Sequence, residues 1–88
     1  MIDEDLVSCI EALLFASGKC VDSKTLENIL EIDHNKLLEI IELLKTRLEE
    51  SKSGLILLEI DNGFQLATNE KYYEQICKLM DNLSLIHI

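Results

Sequence analysis

The sequence has no proline and only three glycines, which excludes a linker or a low-complexity segment. Basic residues are also scarce: eight Lys and Arg stand against seventeen Asp and Glu, for a net charge of −9. Phosphate neutralisation needs a Lys/Arg surplus, so this balance argues against non-specific nucleic-acid binding. It equally disfavours an anionic membrane surface. No apolar run approaches the roughly 20 residues of a membrane span, and Met1-Ile2-Asp3-Glu4-Asp5 lacks the positive start of a signal peptide. The three cysteines, Cys9, Cys20 and Cys77, are odd in number and lack framework spacing. Reduced thiols in a cytoplasmic protein are therefore expected.

What is present suffices for one small domain. Eighty-eight residues, 48% of them apolar, can bury about 60–65% of the surface that the unfolded chain exposes. Residues 3–17 place Leu6, Ile10, Leu13 and Leu14 at helical spacing, with Asp3, Glu4 and Asp5 at the positive end of the helix dipole and Gly18 as the stop. Phe15, Ala12 and Ala16 lie on the other side of this helix, so it is either central or meets a partner. Asp22 reads as the N-cap of a short helix, roughly 23–31, with Leu26, Ile29 and Leu30 inward. Asp33 reads as the cap of a longer one, about 34–51. Its Leu37, Ile40, Ile41, Leu44 and Leu48 form one stripe, and Glu39, Glu42, Thr46, Glu49 and Glu50 lie opposite.

Leu55–Ile60 and Phe64–Thr68 read as two strands. Between them Asn62-Gly63 offers the positive φ values of a tight hairpin turn. A last helix starts at Thr68 or Asn69, with Tyr72, Tyr73, Ile76, Leu79 and Met80 on one side. Two helices joined by a few residues and followed by a hairpin define an α+β, mostly α fold. The expected architecture is a winged helix-turn-helix of three helices, a two-stranded wing and a C-terminal helix.

Such folds often read DNA through the second helix of the helix-turn-helix. Here that helix presents Glu39, Glu42, Glu49 and Glu50, with Lys36, Lys45 and Arg47 toward its flanks, so protein recognition is the better reading. No metal is expected: Cys20 and His34 lack ligand spacing, and Cys9 and Cys77 read as small core residues. No catalytic residue is expected either. Ser8, Ser17, Ser23, Ser51 and Ser53 have no embedding motif, and the isolated Gly18 and Gly63 make no phosphate loop. No cofactor is implied. Tyr72, at helical spacing with Ile76 and Met80, is assigned to the core rather than to base stacking.

The first strand carries more information. Ile56, Leu58 and Ile60 occupy one alternating face, and Leu55 and Leu57 the other, although one face of a wing should meet water. A bulge, cover by another chain and full burial within the domain are the alternatives.

Ile10-Glu11-Ala12-Leu13-Leu14-Phe15-Ala16-Ser17-Gly18 resembles the opening helix of the bacterial segregation and condensation protein B family. Val21-Asp22-Ser23-Lys24-Thr25-Leu26 resembles the start of the family's short leucine-rich helix, and Gly54 to Thr68 is similar to its wing. The likeness covers about residues 5–80. It implies a homodimerising winged helix that serves as a non-enzymatic accessory subunit of the bacterial condensin complex. The implied partners are the kleisin (segregation and condensation protein A) and the structural-maintenance-of-chromosomes ATPase. The role is chromosome condensation and segregation, in the cytoplasm and on the nucleoid through the complex.

The family carries a second winged-helix domain after this one, which is expected to be absent here, and many relatives have proline where this chain has Cys20. Residues 83–88, Leu83-Ser84-Leu85-Ile86-His87-Ile88, resemble the translation of a sequencing-library adapter, so the native domain is expected to span 1–82. The rival function on the same fold is a DNA-binding transcriptional regulator, which would need a basic stripe. The candidate dimer or partner surface comprises Phe15, Ile56 and Leu58: the first helix is apolar on two sides and the first strand on both faces, more than one small core covers.

Overall fold

The computed structural model describes the backbone of residues 1–86 and the side chains of residues 1–82. Its elements run α1 (Asp3–Ser17), β1 (Val21–Asp22), α2 (Ser23–Leu30), α3 (His34–Glu50), β2 (Leu55–Ile60), β3 (Gly63–Thr68), a 3-10 turn (Glu70–Tyr72) and α4 (Tyr73–Ile86). This is the expected winged helix with one strand more. Val21–Asp22 pairs antiparallel with the start of β3, so the sheet has three strands in the order β1-β3-β2.

Several helix ends have an identifiable cause. Gly18 takes the left-handed conformation (φ 65) and its N–H donates to the Leu14 carbonyl, closing α1. Asp33 accepts from the Lys36 N–H at 2.7 Å, as expected of the α3 N-cap, an interaction typically worth about 1 kcal/mol. Asp22 does precede α2, but its side chain makes no capping hydrogen bond. Its backbone belongs to β1 instead. Asn69 caps the 3-10 turn by accepting from the Lys71 N–H at 3.0 Å, and α4 follows directly.

The core forms where α1, α2 and the sheet meet α3. All five residues of the expected α3 stripe are buried, joined by Leu6, Val7, Ile10 and Leu14 of α1, Leu26 of α2 and Phe64 of β3. Two helix assignments differ from expectation. Ile29 is 56% exposed, because the eight-residue α2 turns only Leu26 fully inward and leaves Leu30 at the margin. Tyr72 is exposed rather than packed in the core: it sits in the 3-10 turn, and that turn is the main neighbour of α4. Cys9 and Cys77 are half-buried and Cys20 is exposed, all three as free thiols. Of the six tail residues, the backbone of 83–86 continues α4, and 87–88 lie outside the described residues.

Candidate partner-binding surface

The hairpin register is unbroken from Leu55↔Thr68 to Ile60↔Gly63, so β2 carries no bulge. Strand alternation then sorts its side chains. Leu57 and its cross-strand neighbour Leu66 pack against the core, and Glu59 lies opposite the buried Phe64. Ile56, Leu58 and Ile60 fall on the outer face with Gly63, Gln65 and Ala67 of β3. That face carries no charge. Leu58 is 36% and Ile60 41% exposed, while Ile56 is half-buried.

Of the candidate residues, Ile56 and Leu58 therefore share one surface. Phe15 does not join them. It is 74% exposed on the solvent side of α1, and α1 packs against α3 and the core side of β3. Ile60 belongs with Ile56 and Leu58, and the same alternation that singled out those two already marks it.

The turn is built differently from the expected one. Positive φ falls on Asp61 (φ 53), while Gly63 is the first residue of β3 and does not need it. A Cβ at Gly63 would stand 2.7 Å from both the Cys20 Sγ and the Val21 carbonyl oxygen. Close approach of β1, not turn geometry, requires glycine there.

The exposed side of α3 is acidic, and its cations are already engaged. Lys36 pairs with Asp3 at 2.8 Å and Glu39 at 3.4 Å; Lys45 pairs with Glu59 at 2.7 Å and Glu42 at 3.4 Å. Arg47 reaches Ser8 Oγ at 2.9 Å and lies 3.8 Å from Glu11. The hydrogen bond to Asp3 is the main cause that holds the Lys36 ammonium above its ordinary pKa, and the bond to Glu59 does the same for Lys45. A raised lysine pKa favours folding below the unfolded value, and the contribution is lost only as pH climbs through the folded one. At neutral pH these pairs are intact, and as exposed pairs they contribute little to stability. Their consequence is that α3 offers phosphate no unpaired cation.

Cys20 and His34 are the nearest mixed pair of metal-ligand types that the sequence offers, and their spacing argues against a site. His34 Nδ1 lies 2.9 Å from a Glu27 carboxylate oxygen, and among the described residues no three His, Cys, Asp or Glu side chains stand together as a metal site. Among the same residues no helix is long and apolar enough to cross a membrane.

The described residues thus form a winged helix with an acidic, internally paired α3 and an uncharged sheet face. Comparison with known proteins identifies the family. A profile described as segregation and condensation complex subunit ScpB matches residues 8–85. Segregation and condensation protein B of Listeria monocytogenes is 40% identical over 80 residues, covering 89% of this chain and 40% of the relative. Its namesake from Lachnoclostridium phytofermentans is 34% identical over 74 residues, covering 84% and 39%. A crystal structure of a dimer of ScpB N-terminal domain complexed with ScpA peptide superposes with a TM-score of 0.81 at 27% identity, covering 86% of this chain and 95% of that one. ScpB from Mycobacterium tuberculosis has the same fold, with a TM-score of 0.86 at 20% identity over 96% of this chain and 52% of that one.

The chain belongs to the segregation and condensation protein B family. It spans about 40% of the length of the curated relatives it matches.

Proposed function

We propose that this chain is a non-enzymatic accessory subunit of the bacterial condensin complex. It homodimerises and binds the kleisin, segregation and condensation protein A, which connects it to the structural-maintenance-of-chromosomes ATPase. It acts in chromosome condensation and segregation, in the cytoplasm and on the nucleoid through that complex. The observation that carries this reading is the match, over nearly the whole domain, to an ScpB N-terminal domain that is itself a dimer complexed with an ScpA peptide. The open apolar face of β2 and β3 supports it, since a lone small domain gains stability by covering such a face. Residues 1–82 are taken as the native part and 83–88 as a non-native tail.

Sedimentation of the full chain and of residues 1–82 tests the dimer. Both are expected to be dimeric at tens of micromolar, and a monomeric 1–82 refutes this part of the proposal. Leu58→Glu places a charge on the outer sheet face without touching the core. It is expected to weaken the dimer with unchanged helix content, because a carboxylate replaces an apolar side chain in the contact between copies. Ile56→Glu should act in the same direction; loss of helix content on that substitution would assign Ile56 to the domain's own packing. Phe15→Glu tests the separate α1 surface.

The regulator alternative predicts duplex DNA binding that falls steeply with salt. With the α3 cations paired and its outer face acidic, no such binding is expected at 50 mM or 200 mM salt. Fluorescence anisotropy with a labelled duplex checks this, and steep salt-dependent binding would restore the regulator reading.

A further inference from the structure

The edge of the sheet, as distinct from its outer face, has a chemistry of its own. Ile60↔Gly63 closes a two-residue turn, so the residues that exchange both backbone hydrogen bonds across the hairpin are Ile60, Leu58 and Ile56. The Asn69 N–H donating to the Gly54 carbonyl at 2.7 Å continues the same series. The intervening residues Leu55, Leu57 and Glu59 therefore point their N–H and C=O groups away from β3, and among the described residues β2 has no strand on that side. Only the Leu55 N–H is taken, by Ser53 Oγ at 3.0 Å. The edge runs six residues without proline or bulge. Its one charge, Glu59, is tied back to Lys45. Natural edge strands are ordinarily blunted by charge, bulge or cover; among the described residues this one has neither bulge nor covering strand, and its one charge is paired within the domain.

We propose that the free edge of β2 pairs antiparallel with β2 of a second copy, about a two-fold axis at Leu57, making one continuous six-stranded sheet. The pairing deepens the dimer proposed above and rests on it. The register is chosen by chemistry. With Leu57 opposite Leu57, the two Leu57 residues exchange N–H and C=O, and each Glu59 N–H meets the Leu55 carbonyl of the second copy, as a self-complementary interface demands. Ile56 then faces Leu58 of the second copy on the uncharged outer face, joining the two apolar patches. Glu59 faces Leu55 of the second copy and no carboxylate meets another. Beside Leu55 a cavity of about 330 Å³ is bordered by Lys52 and Glu49 and by Lys45, which its own Glu59 and Glu42 already hold, so the ammonium group near which the incoming carboxylate arrives is that of Lys52. Sliding one strand four residues past the other, which moves the two-fold axis to Glu59, would set Glu59 against Glu59 and juxtapose like charges at the sheet edge, which is unfavourable.

Two measurements on the full chain test the pairing. Glu59→Pro removes an outward N–H while leaving the ladder to β3 complete, a position where an edge strand tolerates proline. Each dimer loses two backbone hydrogen bonds, so Kd is expected to rise about 30-fold or more. Glu59→Gln, which keeps the N–H and controls for the lost ion pair, should stay within about threefold. The second measurement uses a background with Cys9, Cys20 and Cys77 changed to Ser. Separately prepared Ile56→Cys and Leu58→Cys chains of different mass are mixed and oxidised. The register places 56 opposite 58, within disulfide reach, and like residues two positions apart, beyond it. Disulfides between the two different chains should therefore dominate. Equal like-with-like bonding, or none, overturns the register even where Glu59→Pro fails to fold.

A dimer indifferent to Glu59→Pro overturns the edge pairing and leaves the dimer proposal standing; a monomeric parent chain overturns both. If Glu59→Pro keeps the dimer but loses an ScpA-derived peptide, the edge holds an extended peptide and the proposal fails.

Discussion

Leu44→Ala is expected to remove most of the stability of the isolated domain. Leu44 is fully buried midway along α3, the helix that packs against α1, α2 and β2 together. Truncating a buried leucine costs about 2–5 kcal/mol, the upper part of that range applying where neighbours cannot collapse into the cavity. Three elements converge on α3, so collapse toward one strains contact with the others. A core of this size supplies only about 3–5 kcal/mol in all. Urea unfolding at fixed protein concentration measures the change, because dimerisation makes the midpoint concentration-dependent. The adjacent Leu43 is 43% exposed, and Leu43→Ala should fall within about 0.5 kcal/mol of the parent. Equal effects at the two positions would contradict the burial on which the helix assignment rests.

That pair of neighbours also marks what the sequence discloses and what it withholds. The α3 stripe is legible because seventeen residues give nearly five turns over which a 3.6-residue period repeats. The same reasoning fails at Ile29, since two turns of α2 cannot separate an inward residue from a marginal one. It fails again at Tyr72, where a 3-10 turn of three residues breaks the phase of the helix that follows. β1 is two residues long and has no alternation to read. Its strand character comes wholly from β3, more than forty residues away in the chain. The end of α2 is hidden for another reason: Glu31, not glycine, adopts the left-handed conformation there (φ 55).

The surface was legible to a similar depth. Alternation along Leu55–Ile60 identifies an apolar strand with two apolar faces, and the unbroken register removes the bulge among the alternatives for it. Neither the openness of the β2 edge nor the separation of Phe15 from Ile56 and Leu58 can be read locally, because both depend on which strand lies beside which. The acidic character of α3 was visible in its glutamates. The pairing of Lys45 with Glu59, fourteen residues on in another element, was not, and it is this pairing that completes the case against DNA reading.

Gly63 brings sequence logic and structural cause into direct conflict, and substitution there separates them. If glycine were present to supply positive φ in the turn, asparagine would serve nearly as well, because its side chain tolerates the left-handed region. The structure instead gives Gly63 ordinary strand φ and crowds it against β1. Gly63→Asn and Gly63→Ala are therefore both expected to destabilise, by about 1–3 kcal/mol, as overpacking does. A Cβ 2.7 Å from a backbone oxygen of Val21 can be accommodated only by moving the strand. β1 should then leave the sheet, breaking the Val21–Phe64 pairing and the Ser23 N–H bond to the Asn62 carbonyl at 2.8 Å. Loss of hydrogen-exchange protection at the Ser23 amide reports that event directly. Adding Cys20→Ala to Gly63→Ala removes the flexible Sγ but leaves the Val21 carbonyl in place, so it should restore less than half of the lost stability. Gly18 provides the contrast: its φ is positive and no atom lies within 4 Å of an added Cβ, so there asparagine should cost less than alanine. If Gly63 shows that same order, with asparagine rescuing what alanine loses, the turn and not the β1 contact holds the glycine.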